Sequence, residues 1–360
     1  LKDAWGCAQK RFSSLRIRFA WEAELIQIID KEAPLEWRYI DLSEELDVER
    51  QTTKIKAVQE EDREKAYDLD KGNLFRIYMI KQREDLYTCL FSNHHAILDG
   101  WSNMLLLKYV HETYLRLDEG REVHSLTDHS YGQAQKYLQE HQDDNKEYWA
   151  KYLSKIEERV NLSGLTAIDA KELRLNTYRH ILEPQEEELK VSPVLSYNLK
   201  QLSQKEGITL NAILQYVWHR ALSVYGNSSQ TVVGTIVSGR SIPVNDIEDS
   251  AGLYINTLPL IVDQKTLSNI SILRSIHLIQ NNINEINERS IINLSRLHKS
   301  EERLFESLFV YENYPNATKN ASEKGLNISI MGVEEKLDYP LAIIAYESND
   351  QVIIRLKYAG

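Results

Sequence analysis

Cysteine is almost missing from this chain: Cys7 and Cys89 are the only two in 360 residues, far apart and without His or Cys neighbours at metal-ligand spacing. That excludes a disulfide framework and a zinc site, and leaves both thiols as packing groups. No stretch approaches the roughly 20 apolar residues that a membrane-spanning helix needs. The start also lacks a basic-then-apolar leader, so the expectation is a cytoplasmic protein with no membrane partner. Clustered positive charge is absent too. The 43 Lys and Arg residues are scattered among 54 Asp and Glu, for a net charge of −11. Neutralising phosphates needs a concentrated basic patch, which excludes a nucleic-acid groove and favours small molecules or proteins as partners. There is no repeat of fixed period and no low-complexity tract. Asn-x-Ser/Thr triplets such as Asn316-Ala317-Thr318 carry no functional weight in an Asn- and Ser-rich chain.

What remains is the composition of a globular enzyme, 42% hydrophobic and 27% charged, in a length that suits two lobes better than one small core. The chain opens with helical periodicity, and Phe12, Leu15, Ile17 and Phe19 then run into a strand-like stretch. It closes on Val352, Ile354, Leu356 and Tyr358, the period-two pattern of a half-buried strand. Both ends read as lying inside a domain. Between them, residues 44–67 form a charged, exposed helix. Residues 74–80 and 86–92 form a hairpin, and 101–117 an apolar-faced helix. Residues 130–154 read as one polar helix, and 162–176 as a loop. A helix ending at Gly207 is followed by another, capped by Thr209, that runs to Tyr225. Strands are expected at 231–238, 253–262, 305–311 and 342–353, the last broken at Ser348-Asn349-Asp350. Helices alternating with these strands make the second lobe mixed α/β.

The chemistry concentrates in His94-His95-Ala96-Ile97-Leu98-Asp99-Gly100, between a strand and a helix. Successive side chains of extended backbone alternate, so one histidine can face a reaction channel while the other supports the fold. A neutral imidazole can accept a proton from an amine or hydroxyl, or orient it, at neutral pH. Either His94 or His95 could serve. A buried Asp99 would demand a cationic partner, which makes it architectural rather than catalytic. Gly100 permits the turn into the following helix. Taken alone, paired histidines read as ordinary loop residues and Asp99 as an ordinary N-cap. Adjacent histidines seldom share one ion, so metal binding is set aside.

Several segments in order resemble the condensation domains of non-ribosomal peptide synthetases over nearly the whole chain. Residues 11–22, RFSSLRIRFAWE, resemble the family's RHxxLRTxFxWE, with Phe12 for His and Ile17 for Thr. Residues 91–102 contain HHxxxDG intact. Residues 130–149 resemble the next motif less closely. Val237 to Pro243 and Ala251 to Pro259 resemble the SGR and GxxxNTLP segments. Residues 304–315 resemble LFxSLxVxENYP. The resemblance implies a chloramphenicol-acetyltransferase-like α/β fold, two lobes in a V with the active site at their interface. We set the lobes at 1–168 and 169–360, each truncated, as in a fragment of a larger synthetase. It implies His95 as the catalytic residue and His94, Asp99, Gly100, Trp101 and Arg240 as its support, Arg240 as the ion-pair partner of Asp99. Arg16, Ser238, Asn256 and Thr257 are expected as tunnel or structural residues.

The activity so implied is amide formation. A downstream aminoacyl amine attacks an upstream acyl or peptidyl thioester, both carried on 4′-phosphopantetheine arms of peptidyl carrier proteins, with an adenylation domain nearby in the same synthetase. No cofactor is bound directly and no metal is required. The rivals are an epimerisation domain, which shares HHxxxDG, and a catalytically silent carrier-protein docking module. A cyclisation domain would carry aspartates in place of the histidines, and a single-substrate acyltransferase of this fold would keep HxxxD only.

Overall fold

A computed structural model describes residues 1–21, 25–123, 126–157, 162, 184–297, 303–313, 326–335 and 338–359. The chain divides into two compact units. The first contains Leu1–Tyr137 together with Ile242–Tyr254, and the second Leu138–Ser241, Ile255–Asn313 and the C-terminal strands. The junction expected at 168/169 and most of the loop expected at 162–176 lie outside the described residues.

The first unit opens with α1 (Lys2–Arg11), whose Ala4, Trp5 and Ala8 are buried. A 3-10 turn, Ser13–Arg16, leads into β1 (Ile17–Ala20), which pairs antiparallel with β2 (Ile26–Ile29). A second, three-stranded sheet has the order β3-β4-β5, with β3 (Trp37–Asp41) parallel to β4 (Phe75–Arg83) and β4 antiparallel to β5 (Leu86–Asn93). The expected hairpin is therefore present, with a register shift between Lys81 and Arg83. Helix α2 (Val48–Glu64) starts where the Asp47 carboxylate accepts the Glu49 and Arg50 N–H groups, satisfying two of the donors that a helix start leaves open. The aromatic core of the unit gathers on Trp5, which packs against Phe75 and Phe91 at centroid distances of 6.4 and 5.0 Å. Helix α3 (Gly100–Asp118) packs against α1.

The polar helix expected across 130–154 is two helices, α4 (Ser130–Glu140) and α5 (Lys146–Leu153). The backbone turns between them, with Asp144 N bonded to His141 O and Lys146 N to Asp143 O. Asp and Asn in that stretch favour turns over helix interior, and the period-3.6 pattern could not reveal the break.

In the second unit a six-stranded sheet runs β6-β11-β10-β9-β7-β8. These strands are β6 (Pro184–Lys190), β7 (Gln230–Val237), β8 (Asn256–Asp263), β9 (Ser307–Glu312), β10 (Leu341–Ser348) and β11 (Gln351–Ala359). The tight turn between β10 and β11 falls on Asn349 and Asp350, at φ 47° and 63°, as the Ser348-Asn349-Asp350 break predicts. Strand β6 escaped the sequence reading because its Glu186, Glu187 and Glu188 show no apolar alternation. Its partner strand supplies Arg355 and Lys357 opposite them. Helix α6 (Pro193–Glu206) begins at a Ser192 cap and ends at Gly207 with φ +66°. Helix α7 (Leu210–Tyr225) is capped by Thr209. Helix α8 is the short Gln264–Ser268, and α9 (Ile272–Glu288) buries Ile276, Ile279, Ile283 and Ile286 at three- and four-residue steps. These isoleucines join Trp149, Leu258, Leu260, Val262 and Phe309 in one core.

Inside that core His219 of α7 is fully buried. Its Nδ1 lies 2.6 Å from Thr231 Oγ1, and its Nε2 has no hydrogen-bond partner among the described residues. Burial pushes its pKa down to about 3. In the unfolded chain the ring takes a proton near pH 6.5, so nothing is lost above that pH. Stability falls as pH drops from there towards 3, by roughly 5 kcal/mol in all. Replacing His219 with Leu should flatten the pH dependence of the melting temperature between about pH 6.5 and 4. Parallel curves for the two proteins would contradict this.

Candidate active site

Strand β5 ends at Asn93, so the histidine pair lies on a turn just beyond it, closed by Ile97 N–H donating to His94 O at 3.2 Å. The His94 backbone N–H still bonds Leu74 O at 2.8 Å, extending the β4–β5 pairing by one step. The side chains then separate. His94 is half-buried and its Nδ1 accepts the Ala96 N–H at 3.1 Å, which sets its proton on Nε2. Burial, then the neighbouring His95, lowers its pKa from the ordinary value, which favours the neutral ring. His95 is exposed. Ile97 and Leu98 are buried, and they pin the turn to the core.

Asp99 is 1% exposed and divides its carboxylate. Oδ1 accepts Ser102 N–H at 2.8 Å and so caps α3, while Oδ2 accepts Tyr254 N–H at 3.0 Å. The Asp99 N–H in turn donates to Gly252 O at 3.2 Å. The Ser102 hydroxyl meets the same loop: it donates to Gly252 O at 2.7 Å and accepts Gly252 N–H at 3.0 Å. Gly100 opens α3, and Trp101 Nε1 donates to Glu248 O at 3.1 Å.

A second aspartate repeats this arrangement and was missed in the sequence. Asp128 Oδ1 accepts Ser130 N–H at the start of α4, and Oδ2 accepts the Ser250 hydroxyl. That hydroxyl also pairs with Tyr254 OH. The segment Ser250–Tyr254 is thus tied to two helix starts. This is why the strand expected from Leu253 begins only at Asn256: the preceding backbone is already committed to Asp99 and Ser102. A signal was available in Asp-x-Ser, which occurs ahead of α4 as a capping pattern.

Arg16 donates to the carbonyls of Gln9, Lys10, Asp30 and Lys31, which makes it a backbone clamp. Ser238 is exposed and accepts Arg240 N–H, and Arg240 is 5% exposed after Gly239 at φ +63°. Asn256 Nδ2 donates to Ser290 O and Ile292 O, and its Oδ1 accepts Thr257 N–H, so it braces a loop end. Thr257 is half-buried in β8. Among the described residues no group of three His, Cys, Asp or Glu side chains could hold a metal, and no helix is long and apolar enough to cross a membrane.

A model of the condensation-domain family matches residues 1–360. The chain is 41% identical to the N-(5-amino-5-carboxypentanoyl)-L-cysteinyl-D-valine synthase of Amycolatopsis lactamdurans, an alignment covering 100% of this chain and 10% of that protein. It spans about a tenth of the length of this curated relative. Its fold is similar to the first condensation domain of the calcium-dependent antibiotic synthetase, with TM-score 0.71 and 17% identity over 99% of this chain and 81% of that one. It is also similar to the epimerization domain from the third module of tyrocidine synthetase B, with TM-score 0.73 and 16% identity over 100% and 84%.

Gly252 offers a direct check on the locked segment. A Cβ there would sit inside the buried Tyr131 ring. Gly252→Ala should therefore lower stability by about 1–3 kcal/mol, the ordinary cost of overpacking, read as a fall in melting temperature. A variant as stable as the parent would show that the segment is not held where the two aspartates put it.

Proposed function

This chain belongs to the condensation-domain family, and from that premise we propose that it joins a donor acyl or peptidyl thioester to an acceptor aminoacyl thioester through an amide bond. The observation that carries the reading is His95: an exposed imidazole on a turn whose every neighbour is anchored, within an intact HHxxxDG. Its relatives are peptide synthetases many times its length, which supports carrier proteins as the substrate-bearing partners and an adenylation domain in the same polypeptide. The substrates travel on 4′-phosphopantetheine arms, and no cofactor resident in this chain is needed.

In the reaction the acceptor α-amine attacks the thioester carbonyl. A C–N bond forms, the tetrahedral oxyanion collapses, the C–S bond breaks, and the proton lost by nitrogen ends on the departing thiolate. His95 serves as the group that takes that proton or orients the amine. His94, neutral and bonded to Ala96 N–H, supports the turn. Asp99, Gly100 and Trp101 hold the start of α3, and Arg240 is the proposed ion-pair partner of Asp99. A thioester is already activated, so holding two reactants at near-attack distance can supply up to roughly 7–11 kcal/mol. A positioned base contributes about 10²- to 10⁴-fold.

The fold alone does not separate condensation from epimerisation, because solved structures of both kinds are similar to it at under 20% identity. The whole-chain condensation match favours amide formation. The test uses the complete synthetase with two loaded carrier domains and single-turnover detection of the dipeptidyl thioester. His95→Ala should lower the rate by about 10²- to 10⁴-fold if the ring is a base, and far less if it only orients the amine. Exchange of the α-proton without dipeptide would replace this reading with epimerisation. Absence of both would favour a docking role.

A further inference from the structure

Four side chains outside the proposed chemistry form a line of contacts behind the first motif histidine. Asp62, near the end of α2, is 5% exposed and holds Arg76 of β4, whose Nη1 donates to Oδ1 at 2.8 Å. The same guanidinium donates to the carbonyls of Asp62, Lys65 and Ala66 around the end of α2. Tyr78 OH adds a second bond to Asp62 Oδ1 at 2.7 Å. The Arg76 guanidinium carbon lies 3.9 Å from the centroid of the Tyr67 ring, close enough for a cation–π contact. The Tyr67 hydroxyl meets Ser92 Oγ at 2.7 Å. The contacts therefore run from Asp62 to Arg76, to Tyr67 and on to Ser92.

This line of contacts touches the motif at two points. Ser92 sits two residues before His94 on β5, and the Tyr67 ring stands edge-on to the His94 ring at 6.1 Å and 84°. A buried ion pair gives little net stability but is costly to break, so its members keep one arrangement. That stiffness is passed to a ring whose own Nδ1 must point at the Ala96 N–H. We propose that Tyr67 is a positioning residue: clamped by Arg76 and Ser92, it holds His94 in the orientation that accepts the Ala96 N–H, and through that turn it sets the direction of His95. The inference rests on the reading of His95 as the group that meets substrate.

The groups facing His94 are Tyr67 and His95, with Arg76 and Asp62 behind the tyrosine. Protonating His94 would turn Nδ1 from acceptor to donor and set it against the Ala96 N–H. Without the Tyr67 ring, water reaches His94, its proton affinity recovers, and the turn loosens as pH falls. A change that merely weakened the fold would lower activity alike at every pH.

The test compares Tyr67→Leu and Tyr67→Phe in the complete synthetase by two measurements. One is the pH profile of single-turnover dipeptide formation. The other is deuterium exchange at the imidazole C2 carbon, read by fragment-ion mass spectrometry, which titrates each histidine separately. Tyr67→Leu should stay within about twofold of the parent near pH 8 and fall roughly tenfold near pH 6, less than the hundredfold that an ångström of misplacement costs. Its His94 midpoint should move up, with Tyr67→Phe between the two. A pH-independent loss, or an unmoved His94 midpoint, overturns the proposal. Should Tyr67→Leu not fold, Ser92→Ala is judged by the same two criteria. If His95→Ala leaves dipeptide formation intact, the functional reading fails, while the exchange measurement needs no turnover and still decides the role of Tyr67.

Discussion

One carboxylate, Asp99, holds together the parts of the first unit that make up the candidate site. It is nearly solvent-free, so every lone pair left without a partner would carry a desolvation cost of about 1–3 kcal/mol. The protein meets that demand with backbone N–H groups from two places far apart in sequence, Ser102 and Tyr254. The first bond fixes where α3 begins, and hence where the turn carrying His94 and His95 must end. The second brings residues 250–254 against the same helix start. Because a helix N-terminus carries partial positive charge, the carboxylate is favoured there. Asp128 repeats the device on α4 with Ser250, so the returning segment is fastened twice.

This shared dependence explains what could and could not be read from the residues. Caps at Thr209 and Gly207, the β4–β5 hairpin and the turn at Asn349-Asp350 depend on neighbours in sequence, and all were legible. Strand β6 was not, because its glutamates make sense only opposite Arg355 and Lys357. The late start of β8 was not, because the residues that draw Leu253 and Tyr254 away from the sheet lie about 150 positions earlier. Within the candidate site HHxxxDG could be found as a string, whereas Asp62, Tyr67, Arg76 and Ser92 are scattered over α2, the following loop and two strands. Arg16 and Asn256 illustrate the reverse: polar residues inside recognisable motifs that spend their hydrogen bonds on backbone carbonyls.

The contrast between His94 and His95 follows from the same reasoning. Both have the same intrinsic chemistry. What separates them is exposure. His94 has its Nδ1 bound to Ala96 N–H, an aromatic edge against its ring and a proton affinity lowered by burial. A ring so engaged is a poor carrier of protons and a good brace. His95 lies exposed on a turn fastened on both sides, by Leu74 to His94 and by Gly252 to Asp99. On the proposed reading, a group that meets an incoming amine needs exposure and a fixed origin, and the pair would divide those two requirements between its members.

That division also bears on how one fold can serve different reactions. The structures similar to this chain include a condensation domain and an epimerization domain at under 20% identity, so the shared backbone does not choose between bond formation and proton exchange. The anchoring described here, two aspartates on helix starts and a buried ion pair behind a histidine, holds a turn in place without reference to what the exposed ring will do. Choice of reaction must then reside in the groups that meet the substrate. For amide formation from an activated thioester the chemical demand on the protein is small, since most of the barrier can be met by bringing two tethered groups together. On the proposed reading a rigid turn presenting one exposed imidazole suits that task, and the buried polar contacts around it serve rigidity rather than reactivity.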